Sequence, residues 1–191
     1  MFSGSFLLAL TVFELLPEVY SEPNPKLIGL FILLGMLLQI FLEYYSQGLE
    51  HGHKPHRSNN PSTQAAIYAS LCLHALLEGI PVESHEHIVA GIVIHKIPVA
   101  IILSLLLVNS GMKKTKALAI VVIFSLMTPI GGYLAHHLEF LQLYQPYLMA
   151  MIIGVFLHIS TVILLESSEG HRFNTQKVIV ILLGIVLAYF I

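Results

Sequence analysis

The sequence predicts an all-α fold, a polytopic bundle of transmembrane helices that forms a single membrane domain over residues 1–191. Only 10% of the residues are charged and 56% are hydrophobic, whereas about a quarter of a soluble domain is charged. The mean hydropathy is +0.82, and apolar runs of about 18 residues recur along the chain. So few charges cannot cover a surface that faces water, which excludes an ordinary soluble enzyme.

Seven apolar segments, separated by Pro, Gly, Asn or charged residues, have the length of about 20 residues that crosses a bilayer. They are predicted at residues 4–20, 27–45, 65–82, 88–108, 117–135, 146–165 and 177–191. Backbone polar groups in lipid must be paired within the segment, and no segment shows the alternation of a barrel strand. We therefore expect seven transmembrane helices.

The basic residues of the loops predict the orientation of these helices. Seven of them lie in alternate loops, and the opposite loops together contain only Lys26. The seven are Lys54, Arg57, Lys113, Lys114, Lys116, Arg172 and Lys177. Because basic loops stay in the cytoplasm, we expect Met1 inside and Ile191 outside, in a protein of the plasma membrane.

Composition also limits the partners. The single cysteine, Cys72, excludes a disulfide framework and a cysteine-based metal site. A net charge of −2 does not fit a nucleic-acid surface. We expect the lipid bilayer as a partner, neither nucleic acid nor an organic cofactor, and we leave a homodimer open.

Two polar loops are rich in histidine, an inner loop at residues 46–64 and an outer loop at residues 83–87. Their histidines are His51, His53 and His56 in the inner loop and His85 and His87 in the outer loop. Tracts of this kind bind metal ions, so both loops could gather cations. The inner loop fits equally well as a solvated linker, and the outer one as a simple boundary between two helices.

Ionisable side chains inside the membrane are costly and usually functional. His74 and Glu78 are four residues apart, so they lie on one face of the third predicted helix. At 1.5 Å per residue, Glu78 lies about 6 Å and His74 about 12 Å below the outer membrane end, and His95 on the fourth helix about 10 Å below it. Two imidazoles and a carboxylate at one depth predict a metal site. The alternative is a hydrogen-bonded pair that only joins helices.

Lys96 and two prolines lie close to these residues. An ammonium group at Lys96 would repel a second divalent ion and could pair with Glu78, so we expect one bound metal ion at a time. Pro81 and Pro98 are each expected to kink a helix beside the ligands, because proline removes a backbone hydrogen bond.

Other polar residues within the spans are candidates for an ion pathway. They are Glu14, Ser125, Thr128 and His158. For each of them a structural role is the alternative: close helix packing around Ser125 and Thr128, and a satisfied core histidine at His158. We expect Glu43, near an inner helix end, to be hydrated.

These motifs together resemble the ZIP family of divalent-metal transporters. The His-x-x-x-Glu-Gly of residues 74–79 resembles the family's fourth-helix motif, and His95-Lys96-Ile97-Pro98 its fifth-helix motif. Residues 15–18, Leu-Leu-Pro-Glu, are similar to the end of the second helix, and residues 127–131 to a sixth-helix signature.

The resemblance implies an eight-helix fold in which an elevator-like bundle carries Zn²⁺, or Fe²⁺ or Mn²⁺, into the cytoplasm. It also implies that His74, Glu78 and His95 line the metal site. The chain begins at what resembles the second helix, so we expect the family's first helix to be missing from this sequence.

The sequence departs from the family pattern at four positions. Ala75 stands where many members have a polar ligand, and Lys96 and Val99 where many have acidic ones. This implies that the second metal site of binuclear members is missing. Glu14 stands where a histidine is common.

The main alternative function is an intramembrane zinc hydrolase of the ceramidase-like class, since Ser70-x-x-x-His74 fits part of that pattern. Those enzymes also need a late His-x-x-x-His and a buried Asp, but Val162 follows His158 by four residues and the sequence has no Asp. A haem protein with two histidine ligands would leave Glu78 and Lys96 buried without a role. We therefore expect a metal transporter, not an enzyme.

Overall fold

The structure is a computed structural model that describes residues 1–49, 61–83, 86–166 and 175–191. Within these ranges all regular secondary structure is helical, which confirms the predicted all-α fold class.

The helices run through the chain with short connections. The first span, Phe2–Tyr20, is continuous and consists of α1 (Phe2–Leu10), a π-helical segment (Thr11–Leu15) and α2 (Leu16–Tyr20). The others are α3 (Pro25–Ser46), α4 (Pro61–Glu78), a 3₁₀ segment (Ile80–Glu83), α5 (Glu86–Asn109), α6 (Lys114–His137), α7 (Glu139–Leu143), α8 (Gln145–Glu166) and α9 (Thr175–Phe190).

In the described part of the chain, six spans are long and apolar enough to cross a membrane, and α9 is a shorter apolar helix of 16 residues. Large apolar side chains cover their outer faces, including Leu33 at 58% exposure and Phe41 at 62%. A soluble protein rarely exposes so large an apolar surface, whereas a bilayer covers it. The protein is therefore an integral membrane protein.

Local sequence signals define the ends of α3. The Asn24 side chain accepts a hydrogen bond from the backbone N–H of Leu27 at 3.2 Å, and Pro25 takes the first helical position. Both features favour a helix start. The helix ends at Gln47, whose φ of 57° is in the left-handed region, a common helix terminator.

The buried apolar side chains form two clusters. The first joins α1, α3, α8 and the start of α5, with Phe6, Ile28 and Phe156 among its members. The second joins α4, the rest of α5 and the start of α6, and includes Leu71 and Phe124. Within these groups α3 packs along α8, and α4 packs along α6.

The contact between α4 and α6 depends on glycine. A Cβ atom added to Gly79 would lie 2.0 Å from the Thr128 carbonyl oxygen, and one added to Gly131 would lie 2.0 Å from the Leu76 carbonyl oxygen. Only glycine allows two backbones to approach so closely. This contact places α6 directly beside the end of α4.

The two prolines behave differently from each other. Pro98 lies inside α5, as expected. However, α4 ends at Glu78, and Pro81 lies beyond it in the 3₁₀ segment. The helix therefore stops at Glu78 and does not bend there, because a residue without an N–H is easily accommodated after a helix end.

Candidate metal site

The structure brings His74, Glu78 and His95 together between the end of α4 and the middle of α5. Glu78 Oε1 lies 3.1 Å from His74 Nε2 and 3.6 Å from His95 Nε2. One donor atom from each side chain lies within 4.8 Å of the other two. All three residues are buried, with at most 2% of their surface exposed.

This geometry fits a divalent cation. Zinc holds nitrogen and oxygen ligands at about 2.0–2.2 Å in a tetrahedron, which places two ligand atoms about 3.4 Å apart. In the described part of the chain, Glu78 Oε1 and His95 Nε2 are buried without a hydrogen-bond partner. Leaving a polar atom buried and unsatisfied costs about 1–3 kcal/mol. A cation shared by these atoms would offset that cost.

Lys96 holds the other carboxylate oxygen. Its Nζ lies 3.0 Å from Glu78 Oε2, and it also donates a hydrogen bond to Thr128 Oγ1. The ammonium group lies over the Phe124 ring, 5.2 Å from the centroid, within range of a cation–π contact. Glu78 therefore presents Oε1 to the two imidazoles and Oε2 to a fixed positive charge.

Of the predicted pathway residues, Thr128 is the one that contacts this site through Lys96. Its hydroxyl donates a hydrogen bond to the Ala75 carbonyl at 3.0 Å, which joins α6 to α4. Ser125 is exposed, and its hydroxyl donates to the Val121 carbonyl of its own helix at 2.8 Å. Glu14 is partly exposed in the π-helical segment and is not one of the three residues of the cluster.

His158 has a partner that the sequence did not suggest. Its Nε2 lies 2.7 Å from Glu43 Oε2, which links α8 to α3. The expectation that Glu43 is merely hydrated is therefore wrong, since only 23% of its side chain is exposed and it pairs with an imidazole.

Sequence reasoning also missed Gln39. Its Oε1 lies 3.1 Å from His74 Nδ1, and the residue is completely buried in α3. The signal that could have found it is the position of Gln39, a polar amide inside the apolar span predicted at residues 27–45.

Several predicted residues lie elsewhere. The loop histidines His51, His53, His56 and His85 are outside the described residues. His87 is exposed near the start of α5. The Ser70 hydroxyl donates to the Ile67 carbonyl at 2.9 Å and thus bonds to its own helix, so the hydrolase alternative gains no serine directed at His74.

Fold and site define an integral membrane protein with two imidazoles and a carboxylate clustered between its helices. Comparisons with known proteins agree with this class. The family model described as ZIP Zinc transporter matches residues 50–191. The zinc transporter ZIP1 of Homo sapiens is 27% identical to this chain in an alignment 241 residues long. The alignment covers 97% of this chain and 74% of that protein. No solved structure matches the chain.

The chain belongs to the ZIP family of zinc transporters. The resemblance noted in the sequence is thereby confirmed, and divalent-metal transport, not enzymatic catalysis, is the function that the family supports.

Proposed function

We propose that this protein transports zinc into the cytoplasm through a single intramembrane site formed by His74, Glu78 and His95. The observation that carries the proposal is the convergence of three buried donor atoms within 4.8 Å of one another. Family membership supports zinc as the transported ion. The convergence of the three side chains supports this cluster as the site through which the ion passes.

The donor set favours zinc over the abundant alkaline-earth ions. Ca²⁺ and Mg²⁺ prefer six or more oxygen ligands, whereas this cluster offers two imidazole nitrogens and one carboxylate oxygen. Three protein ligands leave one tetrahedral position for water, as in zinc sites that exchange ligands. Fe²⁺ and Mn²⁺ also accept nitrogen and carboxylate ligands and are the expected competitors.

Lys96 limits the site to one ion. Its ammonium group lies 3.0 Å from Glu78 Oε2, where a second cation would have to share the carboxylate. Two charges of the same sign at such a distance repel strongly in a buried environment. The ion is therefore held by Glu78 Oε1 and the two imidazoles alone.

Transport into the cytoplasm would carry the ion towards the ends of α3 and α8, because the basic loops predict that both ends lie on the cytoplasmic side. The Glu43–His158 pair lies in these inner halves, with its two side chains 2.7 Å apart. A carboxylate and an imidazole on the inner side suit a transient contact for an ion that leaves the central site.

Zinc uptake by the purified protein in liposomes tests the proposal. Changing a neighbour of a metal ligand costs about 10–100-fold in affinity or activity, so losing a ligand should cost at least that much. We expect Glu78→Gln and His74→Ala to lower uptake by about 100-fold or more. Glu139→Gln and His137→Ala, at exposed residues outside the cluster, should keep uptake near the wild-type rate.

A second variant separates loss of the ligand from loss of the fold. Glu78→Gln leaves the partly buried Lys96, whose side chain is 15% exposed, without its carboxylate, which is destabilising because the remaining charge is uncompensated. The double variant Glu78→Gln/Lys96→Met removes both charges, so it should fold normally and still fail to take up zinc. Uptake at the wild-type rate by this double variant would place the route elsewhere.

A further inference from the structure

We infer that Gln39 is a positioning residue of the metal site. Its side-chain oxygen accepts a hydrogen bond from His74 Nδ1–H, so that the opposite nitrogen of His74 is available to bind the metal ion. The inference rests on the proposed function, because it assigns a role in that same site to a residue of another helix.

Two successive side-chain contacts connect Gln39 of α3, through the His74 imidazole, to the Glu78 carboxylate. Gln39 Oε1 lies 3.1 Å from His74 Nδ1, and His74 Nε2 lies 3.1 Å from Glu78 Oε1. Gln39 is completely buried and His74 is 1% exposed, so bulk water does not compete for either nitrogen. Each nitrogen of the imidazole therefore has one acceptor oxygen 3.1 Å away, and the single ring proton can serve only one of them.

The chemistry of imidazole gives this contact its consequence. A neutral imidazole carries one proton, on either Nδ1 or Nε2, and binds metal through the other nitrogen. A hydrogen-bond acceptor at Nδ1 keeps the proton there and fixes the orientation of the ring. Gln39 would therefore favour the tautomer with the proton on Nδ1. In that tautomer Nε2, on the side of Glu78, carries no proton and can bind the metal ion.

An amide differs from the carboxylates that often support metal-bound histidines. It orients the ring without placing another charge in the membrane interior, where each ionised group is costly. The site already contains the Glu78–Lys96 pair, and a neutral acceptor leaves the electrostatic balance of that pair unchanged.

Three variants of Gln39 test the inference. Gln39→Met has a similar size but accepts no strong hydrogen bond, so zinc affinity should fall about 10–100-fold. Gln39→Asn keeps the amide but is one methylene too short to reach Nδ1, so it should lose affinity in the same way. Gln39→Glu keeps an acceptor at the same distance and should bind zinc within about threefold of the wild type.

If Gln39 had only a structural role, the order of the two variants would be reversed: Gln39→Met would bind zinc normally and Gln39→Glu would bind it weakly. Methionine packs well in an apolar helix, whereas an added buried carboxylate is destabilising. We would measure zinc dissociation constants by calorimetry in detergent, and KM and kcat for uptake in liposomes. The positioning role predicts a raised KM with kcat nearly unchanged for Gln39→Met. Gln142→Met, at an exposed glutamine on α7, is the matched control and should bind zinc normally.

The outcomes distinguish this inference from the proposed function. If His74→Ala still binds zinc with wild-type affinity, both are wrong. If His74→Ala loses zinc while Gln39→Met keeps the wild-type dissociation constant and KM, the positioning role alone is wrong. Wild-type affinity in Gln39→Met together with weak binding in Gln39→Glu would also overturn it.

Discussion

The amino group of Lys96 makes three contacts that fix a positive charge beside the proposed metal ligands. It pairs with Glu78 at 3.0 Å, donates to Thr128 and lies over the Phe124 ring. A buried ion pair is weak evidence for stability, because desolvation opposes the attraction between its charges. The position of Lys96 therefore fits a functional role, in which its ammonium group occupies the position that a second metal ion would take.

Replacing Lys96 should change the number of ions bound. In Lys96→Asp a carboxylate replaces the ammonium beside Glu78, so we expect the binding stoichiometry to rise from one zinc ion to two. Lys96→Met removes the positive charge without adding a ligand, and it should still bind one ion. Calorimetric titration of both variants measures the stoichiometry, and one ion bound by Lys96→Asp would contradict the explanation given for Lys96.

Much of the site could be predicted at this scale, because the rise of a helix is fixed. Counting residues from the membrane end placed His74, Glu78 and His95 at one depth, and the structure has their donor atoms within 4.8 Å of one another. Gln39 and Glu43 could not be assigned partners in this way. Their contacts depend on how α3 packs against α4 and α8, which no local spacing in the sequence specifies.

At the scale of helices, the contact between α4 and α6 holds the site together. The close approach at Gly131 allows Thr128 to reach both the Ala75 carbonyl and Lys96. The Gln39–His74 hydrogen bond then connects α4 to α3. These two helices contribute to different apolar clusters, so relative movement of the clusters would strain this bond.

Gly131→Ala should separate α4 from α6. Its Cβ would meet the Leu76 carbonyl oxygen at 2.0 Å, and overpacking of this kind costs about 1–3 kcal/mol. We expect a lower melting temperature in detergent and weaker zinc binding, since Thr128 and Lys96 must shift. Gly29→Ala is the matched control, because its Cβ would meet only the Tyr20 hydroxyl at 3.6 Å. Equal stability of the two variants would show that the close contact is unimportant.

Hydropathy predicted the helices but not their internal breaks. The π-helical segment Thr11–Leu15 and the end of α4 at Glu78 both fall inside predicted spans. A break of this kind depends on the hydrogen-bond register of a few residues, and mean hydropathy over about 20 residues does not resolve it. The short α7 lies between two predicted spans, where no helix was predicted.

For the whole molecule, the basic loops predict which helix ends face the cytoplasm. Lys113, Lys114 and Lys116 are exposed at the start of α6, as expected for a cytoplasmic boundary. The shortest candidate crossing is α9, whose 16 residues extend about 24 Å at 1.5 Å per residue. The hydrocarbon core is about 30 Å thick, so the side on which Ile191 lies is the decisive observation.

Single-cysteine labelling tests this orientation. On a Cys72→Ser background, Pro23→Cys, Thr115→Cys and Ile191→Cys each place a thiol at an exposed residue without altering a charge. A membrane-impermeant maleimide applied to intact cells should label Pro23→Cys and Ile191→Cys, because both lie outside when the basic loops stay inside. Thr115→Cys should react only after the membrane is permeabilised. The reverse pattern would contradict the predicted orientation, and labelling of Pro23→Cys without Ile191→Cys would mean that α9 does not cross the membrane.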